Sequence, residues 1–183
     1  MSFPQPLHQI YTTDDIYALP EGERAELLDG DIYMMAPPSP RHQEYLGELY
    51  SQIHAYLKSK GGDCKPFIAP YAVFLNKDRF NYVEPDISVI CDQNKLTDKG
   101  CEGAPDWIIE IVSPSSRKMD YYKKMLKYLN AGVREYWIVD PEKKWVTVHN
   151  FENDDFQEYD FSQSINAGIF EGLNIDFGQM GID

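Results

Sequence analysis

Trp107-Ile108-Ile109-Glu110-Ile111-Val112 sets a single carboxylate among five apolar residues. An apolar run of this length reads as a buried strand. Strand side chains alternate between faces, so Trp107, Ile109 and Ile111 share one face and Ile108, Glu110 and Val112 the other. An ionised carboxylate with those neighbours is costly to desolvate unless it is paired, protonated or bound to a metal. The remainder of the chain must therefore supply a partner for Glu110.

On the C-terminal side, Ser113-Pro114-Ser115-Ser116 breaks the strand and offers helix caps. A helix follows over residues 117–130, stopped by Gly132, and Glu135-Tyr136-Trp137-Ile138-Val139-Asp140 reads as another strand. Strand, helix, strand in that order predicts a right-handed crossover between parallel neighbours. Trp145-Val146-Thr147-Val148-His149 extends the sheet, and the tail alternates short extended pieces at 156–161 and 169–175 with turns. On the N-terminal side, Pro85-Asp86 opens the strand Ile87-Ser88-Val89-Ile90-Cys91, with a polar loop at 95–103. Residues 65–75 read as extended and 76–82 as turn-like. Before them, Leu46, Leu49, Tyr50, Ile53 and Leu57 recur at helical spacing over residues 41–60, and Gly61-Gly62 ends that helix. Asp29-Gly30 between Glu26-Leu27-Leu28 and Asp31-Ile32-Tyr33-Met34-Met35 is a hairpin signal. A short helix at 14–19, capped at Thr13 or Asp14, precedes it, and residues 1–13 read as an irregular arm. The expected architecture is α/β (α+β): a mixed sheet flanked by helices, with an N-terminal hairpin and extra C-terminal strands, in one domain over 1–183.

The chain has 183 residues and a formal charge of -13. A charge of that sign repels phosphate backbones at long range and argues against a simple electrostatic nucleic-acid binder. A metal-dependent enzyme stays open, because a divalent ion inverts the local sign. The three cysteines, Cys64, Cys91 and Cys101, lack metal-binding spacing, and Cys64 and Cys91 read as reduced core residues. No basic segment leads into an apolar one at the N-terminus and no apolar run approaches membrane-spanning length, so a cytoplasmic protein without membrane association is expected.

Asp86 begins one buried strand and Glu110 lies within the next. On neighbouring strands the two carboxylates converge and form a hard oxygen site suited to Mg²⁺ or Mn²⁺. Such a site also wants a cation near the developing charge. Val112 stands two residues after Glu110, so a lysine must come from elsewhere. On a regular α-helical wheel the following helix presents Tyr121, Tyr122, Met125, Leu126, Tyr128 and Leu129 as its apolar arc. Lys123 and Lys127 fall outside that arc. Lys124 lies at its edge, and Asp120, Lys124 and Tyr128 form an i, i+4 ladder. Each residue has a plainer reading too. Asp86 can be a turn acid, Glu110 and Lys124 a structural ion pair, Glu26 a hairpin residue, His42 a helix-start residue, Asp120 a support for Lys124, and Tyr128 packing. Glu135 and Asp140 read as structural.

Pro85-Asp86 followed by Glu110-Ile111-Val112 resembles the PD-(D/E)XK nuclease pattern with its lysine moved to the next helix. The wider string is similar to the Uma2 family. It comprises Glu26-Leu27-Leu28-Asp29-Gly30, Pro37-Pro38-Ser39 with His42, Pro85-Asp86, Glu110-Ile111-Val112-Ser113-Pro114-Ser115, Asp120 with Lys124 and Tyr128, and the run from Gly132 to Pro141. The resemblance implies a restriction-endonuclease-like core and a metal-dependent endonuclease acting on DNA. It implies Asp86 and Glu110 as ligands for one or two Mg²⁺ or Mn²⁺ ions, with the Ile111 carbonyl a third donor, and Lys124 in the role of the motif lysine. Glu26 matches a family acid, with Glu44 and Glu48 on the long helix as alternatives. No organic cofactor is implied. Cutting both strands of a duplex calls for two sites, which a homodimer would supply. The alternative reading is a catalytically inactive nuclease fold used as a binding or regulatory module, favoured by the net charge and by Val112.

Overall fold

The computed structural model describes residues 9–114 and 116–182. Residues 1–8 of the expected N-terminal arm and Ser115 lie outside them. The elements in order are α1 (Thr13–Tyr17), the hairpin β1 (Ala25–Leu28) and β2 (Asp31–Met34), and α2 (Pro40–Lys60). Strands β3 (Lys65–Ile68), β4 (Val73–Phe74), β5 (Ile87–Ile90), β6 (Leu96–Thr97), β7 (Gly100–Glu102) and β8 (Trp107–Ile111) follow. A π-helical segment, Met119–Lys124, runs into α3 (Met125–Ala131). Then come β9 (Glu135–Asp140), β10 (Trp145–Asn150), β11 (Asp155–Asp160), β12 (Ser164–Asn166) and β13 (Asn174–Asp176).

Six strands form the main sheet in the order β11-β10-β9-β8-β5-β3. Only β8 and β9 are parallel in it, as expected of the strand–helix–strand unit, and every other neighbour is antiparallel. The alternation read from the central strand holds. Trp107, Ile109 and Ile111 pack with Tyr45, Leu46, Leu49 and Ile53 of α2. Ile108 and Val112 pack on the opposite face with Tyr128 of α3 and Leu28 of the hairpin. The sheet is thus covered by α2 on one side and by α3 with the hairpin on the other, the layered arrangement that two-faced burial demands.

Local signals explain the boundaries. Asp29 and Gly30 both have positive φ, at 54 and 81 degrees. The type I′ form of a two-residue hairpin requires that left-handed region at both central positions. Ser39 caps α2, its Oγ accepting from the His42 backbone N–H at 3.2 Å. Pro40 takes the first helical position, where its missing N–H costs nothing. Gly132 ends α3 in the left-handed conformation. No helix among the described residues is long and apolar enough to cross a membrane.

Several expectations need correction. Helix α1 is capped one residue earlier, at Thr12, whose backbone N–H donates to Asp15 Oδ2 at 2.7 Å. The 95–103 segment is not merely loop: β6 and β7 pair with each other and β7 pairs in parallel with β4, a partner remote in sequence. In the tail, Ile169 to Leu173 turns rather than extends, and the strands there are β12 and β13. Cys64 and Cys91 are joined as a disulfide rather than reduced, and Cys101 is buried and free. Their positions follow from register: Lys65 pairs with Ile90 across β3 and β5, so the next pair outward is Cys64 and Cys91. A separation of 27 residues hides that adjacency in the sequence.

The apolar arc assigned to residues 117–130 holds for Tyr128, which is buried, and for Tyr121 and Met125, which pack against the same core, but not for the rest. Tyr122, Leu126 and Leu129 are exposed, at 67%, 53% and 43%. The buried positions are Asp120, Lys124 and Tyr128. The first part of the helix is π-helical. Its i→i+5 bonding widens the turn, so a regular α-helical wheel misplaces its residues.

Two substitutions separate the two faces. Ile109 is fully buried in the sheet. Ile109→Ala should lower stability by about 2–5 kcal/mol through the cavity it leaves. Leu126 lies on the exposed outer face of α3. Leu126→Ala should change stability by about 0.5 kcal/mol or less. Urea unfolding of the two variants measures both.

Candidate active site

Strands β5 and β8 run antiparallel with Ile87 opposite Ile109, so Asp86, just before β5, falls beside Glu110. The backbone makes the juxtaposition firm. The Ile111 N–H donates to Asp86 Oδ2 at 2.7 Å, and the Asp86 N–H points at Glu110 Oε2 at 3.4 Å. His42, in the first turn of α2, sets its Nε2 3.1 Å from the same Asp86 Oδ2.

Glu110 acquires two side-chain partners from the helix on its own face. Lys124 Nζ donates to Glu110 Oε1 at 2.9 Å, and the Tyr128 hydroxyl donates to it at 2.7 Å. The same ammonium reaches Glu26 of the hairpin, 2.9 Å from Oε1 and 2.8 Å from Oε2. Asp120, one turn before, completes the group with Oδ1 3.6 Å from Lys124 Nζ. That oxygen is buried and has no hydrogen bond. The Asp120 backbone carbonyl accepts from the Tyr136 hydroxyl at 3.1 Å, tying the π-helical turn to β9.

Three carboxylates, those of Glu26, Glu110 and Asp120, therefore surround one ammonium, and a fourth, that of Asp86, lies beside Glu110. Burial pushes the Glu110 carboxyl well above its ordinary range; Lys124 opposes that rise, and Asp120, Asp86 and Glu26 add to it. Burial likewise raises Asp120 against the pull of Lys124. Burial works against a charged Lys124, but Glu110, Glu26 and Asp120 outweigh it and hold the ammonium well above its usual pKa. At His42, burial is overcome by the hydrogen bond and charge of Asp86, and the imidazole pKa rises above 6.5.

Glu26, His42, Asp86, Glu110, Asp120 and Lys124 line a pocket of about 660 Å³ between the hairpin, the first turn of α2 and the loop after β8, with Tyr128 behind Glu110. Its walls include Met34, Pro37, Pro38, Leu46, Ser113 and Pro114. Arg24 also faces it, with Nε 2.8 Å from Glu84 Oε2. All seven residues singled out from the sequence, Glu26, His42, Asp86, Glu110, Asp120, Lys124 and Tyr128, are brought together here. Glu26 takes the place beside Lys124, whereas Glu44 and Glu48 are exposed on α2 and line no part of the pocket. Glu135 and Asp140 lie outside the group. Glu135 accepts from the Trp137 indole at 2.5 Å and from the Ile169 N–H at 3.0 Å, and Asp140 holds Arg117. Sequence reasoning passed over Arg41 at the pocket wall. Its only signal was its place beside His42 in the first turn of a capped helix.

The donor set suits a hard divalent ion in chemical type: oxygen ligands, excess negative charge, and an orphaned buried carboxylate oxygen on Asp120. Among the described residues no three His, Cys, Asp or Glu side chains are grouped so as to hold a metal ion.

The raised Glu110 pKa has a definite sign in stability. Its folded pKa exceeds its unfolded value of about 4.5. Such a group contributes fully below the unfolded value, and the contribution is lost as pH rises through the folded pKa. In chelator, wild-type stability should therefore fall from about pH 5 upward more steeply than that of Glu110→Gln. Urea unfolding across that range measures the difference in slope.

A family model described as "Uma2: Putative restriction endonuclease" matches residues 13–177. An uncharacterised protein of Synechocystis sp. is 28% identical over 134 residues, spanning 73% of this chain and 68% of that protein. A crystal structure described as "a putative nuclease belonging to DUF820" from Anabaena variabilis is similar in fold. Its TM-score is 0.75 at 23% identity, over 92% of this chain and 96% of that one.

Proposed function

We propose that this chain, which belongs to the Uma2 family, is a divalent-metal-dependent endonuclease that hydrolyses DNA phosphodiester bonds. The observation that carries this reading is the position of Lys124. Its ammonium contacts Glu110 and Glu26 across the pocket that also holds Asp86. A lysine so placed stands in for the one absent at Val112.

Asp86 and Glu110 would hold Mg²⁺ or Mn²⁺, which when bound polarises a phosphoryl oxygen and activates water. The protein's own groups account for the rest. The Ile111 N–H and His42 fix the Asp86 carboxylate. Tyr128 fixes Glu110, and Glu26 holds Lys124 from the hairpin side. The ammonium, kept protonated by its carboxylates, offers positive charge for the developing phosphorane and a donor to orient the attacking water. Two chains acting together would deliver one cut to each strand.

A second reading, a nuclease-fold binding or regulatory module, draws on the same ammonium. Lys124 is already engaged by two carboxylates, and the chain carries a charge of -13.

Purified protein incubated with plasmid and short DNA duplexes distinguishes them. Cleavage should require Mg²⁺ or Mn²⁺, stop in chelator, and fall by about 10²- to 10³-fold in Asp86→Ala, Glu110→Ala and Lys124→Ala. Mn²⁺ should also raise the melting temperature of wild type and not of Asp86→Ala. Absence of metal-dependent cleavage together with an unchanged melting temperature supports the second reading instead.

A further inference from the structure

Cations near the pocket are almost all engaged by the protein's own acids. Arg24 is bound by Glu84, and Lys124 by Glu26 and Glu110. Elsewhere Arg79 pairs with Asp14, Arg117 with Asp140 and Glu142, and Arg134 with Asp106 and Glu152. Among the described residues, Arg41 is the one arginine without a carboxylate partner. That is unexpected in a chain with 30 acidic residues against 17 lysines and arginines.

Arg41 sits in the first turn of α2, next to His42, and lines the same pocket as Asp86, Glu110 and Lys124. Its Nε is buried and donates no hydrogen bond. Buried donors in folded proteins are nearly always satisfied, so an unsatisfied guanidinium N–H at a pocket wall points to an acceptor that arrives with a ligand. A guanidinium matches phosphate in a way few other side chains allow: it is planar, permanently charged and able to donate in parallel pairs. The backbone adds little to this: Pro40 has no N–H, and Ser39 takes the N–H groups of His42 and Gln43, so the seat rests on the guanidinium.

We infer that Arg41 is a substrate-binding residue that seats a backbone phosphate of the nucleic acid adjacent to the one cleaved. The inference rests on the endonuclease reading for the identity of that phosphate, and on geometry alone for the anion seat. It also answers how an acidic chain holds a polyanion. The surface as a whole repels DNA, and one unpaired guanidinium beside the acidic pair registers a phosphate locally. Binding energy from this contact positions the neighbouring phosphodiester over Asp86 and Glu110.

The test is fluorescence anisotropy of a short fluorescein-labelled DNA duplex, titrated with protein in chelator at several salt concentrations. Arg41→Gln, which keeps a polar side chain, and Arg41→Ala should each weaken binding about tenfold. Each should also lower the slope of log affinity against log salt by about one. Melting temperatures equal to wild type show that the loss is local. Arg41→Lys should recover part of the affinity, as a point charge does. Equal affinity and equal salt slope in wild type and Arg41→Gln overturn the inference, even where wild type cleaves DNA. Arg41-dependent binding without metal-dependent cleavage supports the anion seat and removes the endonuclease reading. Wild type that neither binds nor cleaves removes both.

Discussion

The buried ammonium of Lys124 is the interaction on which this molecule depends. It joins three segments that no regular backbone pairing connects: the hairpin through Glu26, the central strand through Glu110, and its own helix through Asp120. Each partner is desolvated, and each is tolerable only in company. Removing one member of such a group leaves an uncompensated charge in a low-dielectric interior, at a cost of about 3–5 kcal/mol. The arrangement explains why a helix buries Asp120, Lys124 and Tyr128 while showing Tyr122, Leu126 and Leu129 to solvent. Its orientation serves charge compensation together with the apolar packing of Tyr128, Tyr121 and Met125 on the sheet.

The sheet divides its labour by parity. One face of β8 carries Trp107, Ile109 and Ile111 into the packing with α2. The other face combines apolar Ile108 and Val112 with Glu110, so the carboxylate is placed to within a residue by the pleat itself. Register with β5 then puts Asp86 alongside it. Rigid strands position the acids, and helix ends supply the polar groups around them. His42 and Arg41 come from the start of α2, Asp120 and Lys124 from the π-helical turn. A site held this way keeps its geometry because its supports are regular elements locked by packing and hydrogen bonds.

Much of this was legible from Glu110 alone, because a carboxylate in an apolar strand forces a search for compensation. Alternation, the Asp-Gly hairpin and the limits of α2 all follow from local rules that the structure obeys. Lys124 was reachable because it stands in an i, i+4 ladder, although the wheel that placed it at the edge of an apolar arc was right for Tyr121, Met125 and Tyr128 and wrong for Tyr122, Leu126 and Leu129. What stayed hidden depends on contacts distant in sequence. The pairing of Cys64 with Cys91 follows only from the register of β3 on β5. The strand character of β7 needs β4 beside it. The place of Glu26 beside Lys124 needs the hairpin folded over the helix, and Arg41 stands out only once every other arginine has been seen to be paired.

The contact between Lys124 and Glu26 spans 98 residues of chain. Such a contact cannot form by local zipping, because the loop it closes must first be ordered by the sheet. The sequence of events on folding is thereby constrained. The helix can form early with its ammonium hydrated, the central strands can pair, and only when the hairpin settles is the charge shut away. Completion of the site is thereby tied to docking of the hairpin, because the Glu26 side of the ammonium has no partner until β1 and β2 settle.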